Sequence, residues 1–214
     1  MRIMEITQIR TVVATCSDRS GLRELLETLA QQNPQLEVFA SSGTRDAIAE
    51  TGPPPFVLSD ISALSGVEAM PGGLVKTLSP SLFAGILAEP GDLLQASYLK
   101  EIGGREVDLV IANLYPFREL AALEDGSTEK LRSSIDIGGS ALIRAAAKNF
   151  LRVSVLVDPA QYPAFADHVR EHGGVTPDAR IGLAGKAFAL SADYDAHVTR
   201  WFERRAQAAD YQAM

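Results

Sequence analysis

The chain has one cysteine, Cys16, which excludes an internal disulfide and any cysteine-built metal cluster. Histidine is also scarce: His168, His172 and His197 all lie late in the sequence, and no HExxH pattern is present. His168 and His172 are four apart and share a helix face. With no obvious third ligand, a solvated face is a better reading than a metal site. Surplus positive charge is missing too. A formal net charge of -7 argues against broad nucleic-acid binding but leaves room for a small basic pocket that takes an anionic metabolite. No apolar run has the length of a membrane helix. The N-terminal MRIMEITQIR lacks the apolar core of a signal peptide, so a cytoplasmic protein is expected.

What is present is a globular composition. Of 214 residues, 46% are hydrophobic and 22% charged, which suits one domain, 1–214, with a proper core. Apolar runs alternate with amphipathic segments. TVVATC (11–16) reads as a buried strand, followed by the turn SDRSG and the helix GLRELLETLAQQ. LEVFAS, SSGT and RDAIAETG repeat the strand, turn and helix. Three prolines at 53–55 then break the chain, MPGGLVKTLSP reads as a loop, and LFAGIL fits helix or strand. GDLLQASYLKEIG reads as helix, VDLVIANLYP as the clearest central strand, TEKLRSS as helix and VSVLVD as another buried strand. Two proline-opened helices follow, the second running from PDAR towards the C-terminus. This alternation predicts an α/β fold with a mostly parallel sheet covered on both faces.

In such sheets ligands bind beyond the carboxyl ends of the strands. The first end carries Thr15, Ser17 and Arg19, the second Ser41, Ser42, Gly43 and Thr44, and the strand at 107–112 leads to Asn113 and Tyr115. Small hydroxyls, a glycine and helix-start amides are what a phosphate needs. Helix capping explains either turn alone equally well, but two on sequential strands favour a phosphate site. Lys76 and Thr77 lie between a glycine pair and an SP turn, a better setting for a ligand contact than a plain solvated loop. Tyr115 is open to reading as a core aromatic. Asp136 and Lys148 are open to reading as helix-dipole partners at the two ends of the segment IDIGGSALIRAAAK. Gly138 and Gly139 would let a ligand approach the backbone closely.

The motifs SDRSGL, SSGT, VKTLSP, AGIL, NLYPF, IDIGG, RAAAKN and KAF…SADYD…WF occur in one order from about Arg10 to Arg204. This order resembles the cyclohydrolase domain of the bifunctional purine-biosynthesis enzyme that joins aminoimidazole carboxamide ribotide transformylase to IMP cyclohydrolase. The resemblance implies a methylglyoxal-synthase-like three-layer fold, a parallel sheet flanked by helices. It implies dehydrative closure of formamido-imidazole-carboxamide ribotide to inosine monophosphate, without metal or organic cofactor. The partner expected is a small nucleotide substrate, with neither nucleic acid nor membrane involved, and a homodimer is expected from the family's dimeric form. The transformylase domain is expected to be absent.

Carried over by resemblance, phosphate contacts fall on Ser17, Ser41, Gly43, Thr44 and Thr77, with Arg19 where the family usually has lysine. Catalytic positions fall on Lys76, Asn113, Tyr115, Asp136 and Lys148, and Gly138 and Gly139 are retained. In the expected chemistry Asp136, poised by Lys148, deprotonates the carboxamide, while Lys76 and Tyr115 stabilise and protonate the formyl oxygen and Asn113 orients the base. A straight helix of twelve residues spans about 18 Å, too far for Asp136 and Lys148 to touch one small substrate. Either the chain bends back or one role is indirect.

The chain also departs from the pattern. The family's GRVKTLHP and VHAGIL read here as GLVKTLSP and LFAGIL, placing Leu74, Ser79 and Phe83 where arginine and two histidines are usual. Ser42 replaces a glycine and Ser133 a glutamate. Two other readings therefore stand beside the first: a diverged cyclohydrolase acting on a related nucleotide, and a non-catalytic nucleotide-binding regulatory module. Methylglyoxal synthase itself is disfavoured, since its required histidine has no counterpart in the right region.

Overall fold

The computed structural model describes residues 3–68, 70, 75–122 and 128–204. Five parallel strands form one sheet: β1 (Thr11–Cys16), β2 (Glu37–Ala40), β3 (Val57–Asp60), β4 (Leu109–Asn113) and β5 (Ser154–Leu156), in the order β3-β2-β1-β4-β5. β1 is central, pairing Val12 with Val38 on one side and with Leu109 on the other.

The helices are α1 (Leu22–Gln32), α2 (Ser42–Ala49), α3 (Ser62–Ser65), α4 (Pro80–Leu87), α5 (Leu93–Glu101), α6 (Phe117–Ala122), α7 (Thr128–Ser133), α8 (Gly138–Lys148), α9 (Tyr162–His172) and α10 (Pro177–Arg204). A 3₁₀ turn, Pro159–Gln161, precedes α9. The ambiguous LFAGIL is helical: Pro80 sits at the start of α4 and the Ser79 side chain caps it by accepting from the Leu82 amide.

The period-2 alternation of the strands sorts the core into two layers. Val12, Ala14, Leu109 and Ile111 face α1 and α9, while Val13, Val110 and Ala112 face α4, α8 and α10. Each fully buried leucine or isoleucine in these layers contributes roughly 1.5–3 kcal/mol. At the amino edge of the sheet, buried Arg152 pairs with Asp108 at 3.4 Å and donates to the carbonyls of Gly85 and Val107. Asp108 also accepts the amides of Arg10 and Thr11. Burial pushes the Asp108 carboxyl up, against the pull of those amides and of the Arg152 charge.

β3 and the short helices α3 and α6 are elements the sequence pattern does not predict. β3 is an edge strand, none of its residues is fully buried, and Val57 is 55% exposed. Among the described residues no helix is long and apolar enough to cross a membrane.

Candidate active site

The carboxyl ends of β1, β2 and β4 open into a cavity of about 350 Å³, within the size range of small-molecule sites. Its wall gathers residues from four separated parts of the chain: Ser17 and Arg19 after β1, Ser41 and Gly43 after β2, Lys76 and Thr77 before α4, and Asn113 and Tyr115 after β4. The start of α8 closes it with Asp136, Gly138 and Gly139. A wider depression of about 900 Å³ at the amino edge contains Asp108 and Arg152, whose polar groups are already spent on each other and on backbone. The smaller cavity is therefore the one with converging chemistry.

Several hydroxyls and amides hold the site's own loops in place. Thr44 is fully buried; its hydroxyl accepts the Cys16 amide at 3.0 Å and the Ser41 hydroxyl at 3.1 Å. It ties the end of β1 to the start of α2 and does not line the cavity. The Asn113 side chain accepts the Asp18 amide at 2.8 Å and donates to the Asp18 carbonyl at 2.7 Å, locking the turn after β1. The Ser17 hydroxyl donates into the same group, at 2.8 Å to Asn113 Oδ1 or the Leu114 carbonyl. Ser41 precedes α2 in extended conformation, so the first amides of that helix point out of the strand end. The Arg19 guanidinium leans over this start: a Cβ on Gly43 would lie 3.1 Å from its Nη2. Arg19 thus places a cation beside the helix-start amides at Ser41 and Gly43, the kind of arrangement that suits an anion.

The glycines at α8 have a sharper reason than ligand approach. A side chain on Gly138 would collide with the Thr77 hydroxyl. One on Gly139 would sit 2.8 and 2.9 Å from the two carboxylate oxygens of Asp136. Their absence lets Thr77 and Asp136 close onto the helix start, where Asp136 Oδ1 accepts the Gly139 amide at 2.7 Å.

Asp136 is half-buried, and desolvation pushes its carboxyl above the usual range. The amides of Gly139 and Ser140, the Lys76 charge and the Tyr115 backbone pull it back without overcoming that burial. The result is a carboxylate with base strength above the ordinary, facing a lysine. Val75, next to Lys76, holds φ 65°, a left-handed conformation that costs a β-branched residue about 1–3 kcal/mol. Tyr115 is 56% exposed, so it is a rim residue and not a core aromatic.

Lys148 is not brought to this cavity. α8 is continuous from Gly138 to Lys148, and the lysine is exposed at its far end. Of the positions that depart from the resembled pattern, Ser133 lines the cavity. Ser79 is a buried cap, Phe83 packs against the core, and Ser42 bonds to Asp60 at 3.2 Å. Leu74 lies outside the described residues.

Residues 21–141 match the MGS-like domain family. The chain belongs to that family. Residues 146–214 match the AICARFT/IMPCHase bienzyme family. The bifunctional purine biosynthesis protein PurH of Sinorhizobium medicae is 39% identical over 196 residues, covering 91% of this chain and 35% of that protein. PurH of Parvibaculum lavamentivorans is 36% identical over 211 residues, covering 98% and 38%. The chain thus spans little more than a third of the length of these curated relatives. The crystal structure of a protein named ForH superposes with a TM-score of 0.76 at 32% identity, covering 91% of this chain and 98% of that one.

In this MGS-like chain the cavity wall includes Thr15, named at the first strand end, and also Ser134, Ile135 and Ile137, which no sequence motif singled out as site residues. Ile137 is 64% exposed at its rim. An apolar residue inside the IDIGG turn, flanked by Asp136 and Gly138, was the available signal for it.

Proposed function

We propose that this chain is a cyclohydrolase that closes formamido-imidazole-carboxamide ribotide to inosine monophosphate. The observation that carries this reading is Asp136, a desolvated carboxylate that shares one cavity with Lys76, Tyr115 and a cradle of Ser17, Arg19, Ser41 and Gly43. The similarity to PurH proteins supports it. The cradle takes the ribotide phosphate and fixes the base near Asp136.

The carboxamide nitrogen attacks the formyl carbon and loses one proton to Asp136. The formyl oxygen, stabilised by Lys76 and Tyr115, takes up a proton to give a hemiaminal. The C–O bond then breaks, water leaves, and the former formamide nitrogen loses its proton to complete the C=N bond. Both reacting groups sit on one molecule, so holding them in an attack geometry supplies much of the rate. Electrostatic stabilisation of the oxygen supplies more.

The test is to incubate the protein with the formamido ribotide and follow purine absorbance and product mass. Loss of one water with appearance of the purine chromophore supports the reading; an unchanged substrate contradicts it. A second reading, ring closure on a related formylated nucleotide, is favoured by Ser133, which stands in the cavity wall where the resembled pattern has glutamate. The same assay with analogues of the base separates the two.

A further inference from the structure

The turn that presents Asp136 is held from outside the cavity, by a residue 58 positions away. The Tyr194 hydroxyl, on α10, accepts the Asp136 amide at 2.9 Å and donates to the Ser134 carbonyl at 3.2 Å. One phenol oxygen thus bridges both ends of the Ser134–Asp136 segment. Nearer in the chain and at the cavity, the Ser134 amide bonds back to Leu131 and its hydroxyl to the Lys130 carbonyl, the Ile135 amide bonds to Arg132, and the Asp136 carboxylate is held by the Gly139 and Ser140 amides and the Tyr115 backbone.

Tyr194 is itself fixed. It is buried, and its ring packs edge-on against Phe117 with centroids 6.0 Å apart. Phe117 is also buried, packs on Trp201 at 5.9 Å, and opens α6 two residues after Tyr115. The same tyrosine therefore touches the supports of both sides of the reacting centre. Through Phe117 it braces the strand end that carries Tyr115, and through its hydroxyl it braces the turn that carries Asp136. The charged groups near the phenol are Asp136 and Asp195, and burial raises its pKa, so it stays a neutral donor and acceptor.

We propose that Tyr194 is a positioning residue for Asp136, its hydroxyl setting the angle at which the carboxylate enters the cavity. The proposal rests on the reading of Asp136 as the base. Tyr194 is not among the residues lining the cavity, and the phosphate cradle lies on other elements. Removing the hydroxyl therefore loosens the base without loosening phosphate binding.

The experiment compares wild type, Tyr194→Phe and Trp201→Phe. The first variant keeps the ring and loses the bridge. The second disturbs the same aromatic cluster without touching the turn. With the formamido ribotide, Tyr194→Phe is expected to lower kcat roughly ten- to a hundredfold with KM within about twofold, since small misplacement of a reacting group costs that much. Trp201→Phe is expected to lose thermal stability but keep kcat at the assay temperature. In parallel, the Asp136 carboxyl is titrated by carbon NMR. In Tyr194→Phe its midpoint should move down towards an ordinary aspartate as water reaches the freed turn. Wild-type kcat in Tyr194→Phe, or equal kcat losses in both variants, overturns the positioning role. The titration needs no substrate, so it separates the two ideas. If wild type fails to turn over and Tyr194→Phe still shifts the Asp136 midpoint, the reaction is wrong and the positioning stands. An unshifted midpoint overturns the positioning whatever the reaction.

Discussion

Asp136 and Lys148 stand at opposite ends of one unbroken helix. α8 runs eleven residues from Gly138 to Lys148, about 16 Å at 1.5 Å per residue, with the aspartate before its first turn and the lysine exposed at its last. Lys76, in contrast, is close enough to Asp136 for its charge to oppose the carboxyl's upward shift. The lysine that shares the cavity with the carboxylate comes from the loop before α4. Lys76→Ala should therefore reduce kcat by about a hundred- to a thousandfold, the cost of removing one charge-stabilising group. Lys148→Ala should cost far less. Steady-state kinetics of the two variants check this, and an equal loss in both would show that Lys148 acts on the reaction directly.

Asp136→Asn should make the protein more heat-stable at neutral pH. The folded-state pKa of Asp136 is raised, so between the ordinary carboxylate range and that raised value the folded protein holds a proton that the unfolded chain has released. Wild-type stability contributed by this group falls as pH rises through that window and stays low above it. Asparagine has no charge to desolvate and still offers an oxygen to the Gly139 amide. Thermal melts across acid to neutral pH should show the variant's advantage growing through the window, with each kcal/mol worth roughly 2–4 °C in a chain of this size. A variant less stable than wild type at neutral pH would mean the carboxylate is not penalised by burial.

Gly139→Ala should leave the chain folded and cripple the site. The added methyl group would meet both carboxylate oxygens of Asp136 inside 3 Å, so the carboxylate must swing away from the Gly139 amide. Alanine is otherwise favourable inside a helix, by about 1 kcal/mol over glycine. The expected pattern is a Tm within a few degrees of wild type and a kcat loss of about a hundredfold. Circular dichroism melts and kinetics on the same preparation check both halves.

Asp108→Ala should be costly to the fold and silent at the site. It leaves Arg152 buried without its counter-charge and strips the Arg10 and Thr11 amides of their acceptor. Breaking a buried pair from one side costs about 3–5 kcal/mol. Urea unfolding should show that loss, while KM of whatever protein remains folded should stay at the wild-type value, because the pair lies at the opposite edge of the sheet.

How much of this was legible in the sequence follows from what each feature depends on. β1, β2, β4 and β5 announce themselves as short apolar runs because each is buried in the sheet. β3 does not, because an exposed edge strand needs no apolar run. Ser17, Arg19, Ser41, Gly43, Tyr115 and Asp136 could be named because strand ends and helix starts are where this architecture places chemistry, Lys76 and Thr77 because they sit between a glycine pair and an SP turn, and the structure gathers all of them around one cavity. How a hydroxyl or amide spends its hydrogen bonds was not legible. Thr44 and Asn113 have the composition of ligand contacts, yet their groups bind the turn after β1. The Tyr194 bridge was invisible for a related reason: it joins residues far apart in the chain, and no local pattern encodes it.

Whether Asp136 acts as the base in ring closure is tested most directly by the pH dependence of kcat/KM for wild type and Asp136→Asn with the formamido ribotide. Activity should rise with pH as one group ionises, with a midpoint above the ordinary carboxylate range, and Asp136→Asn should lose both the activity and that limb. An Asp136→Asn variant that closes the ring at the wild-type rate, with the same acid limb, would contradict that role.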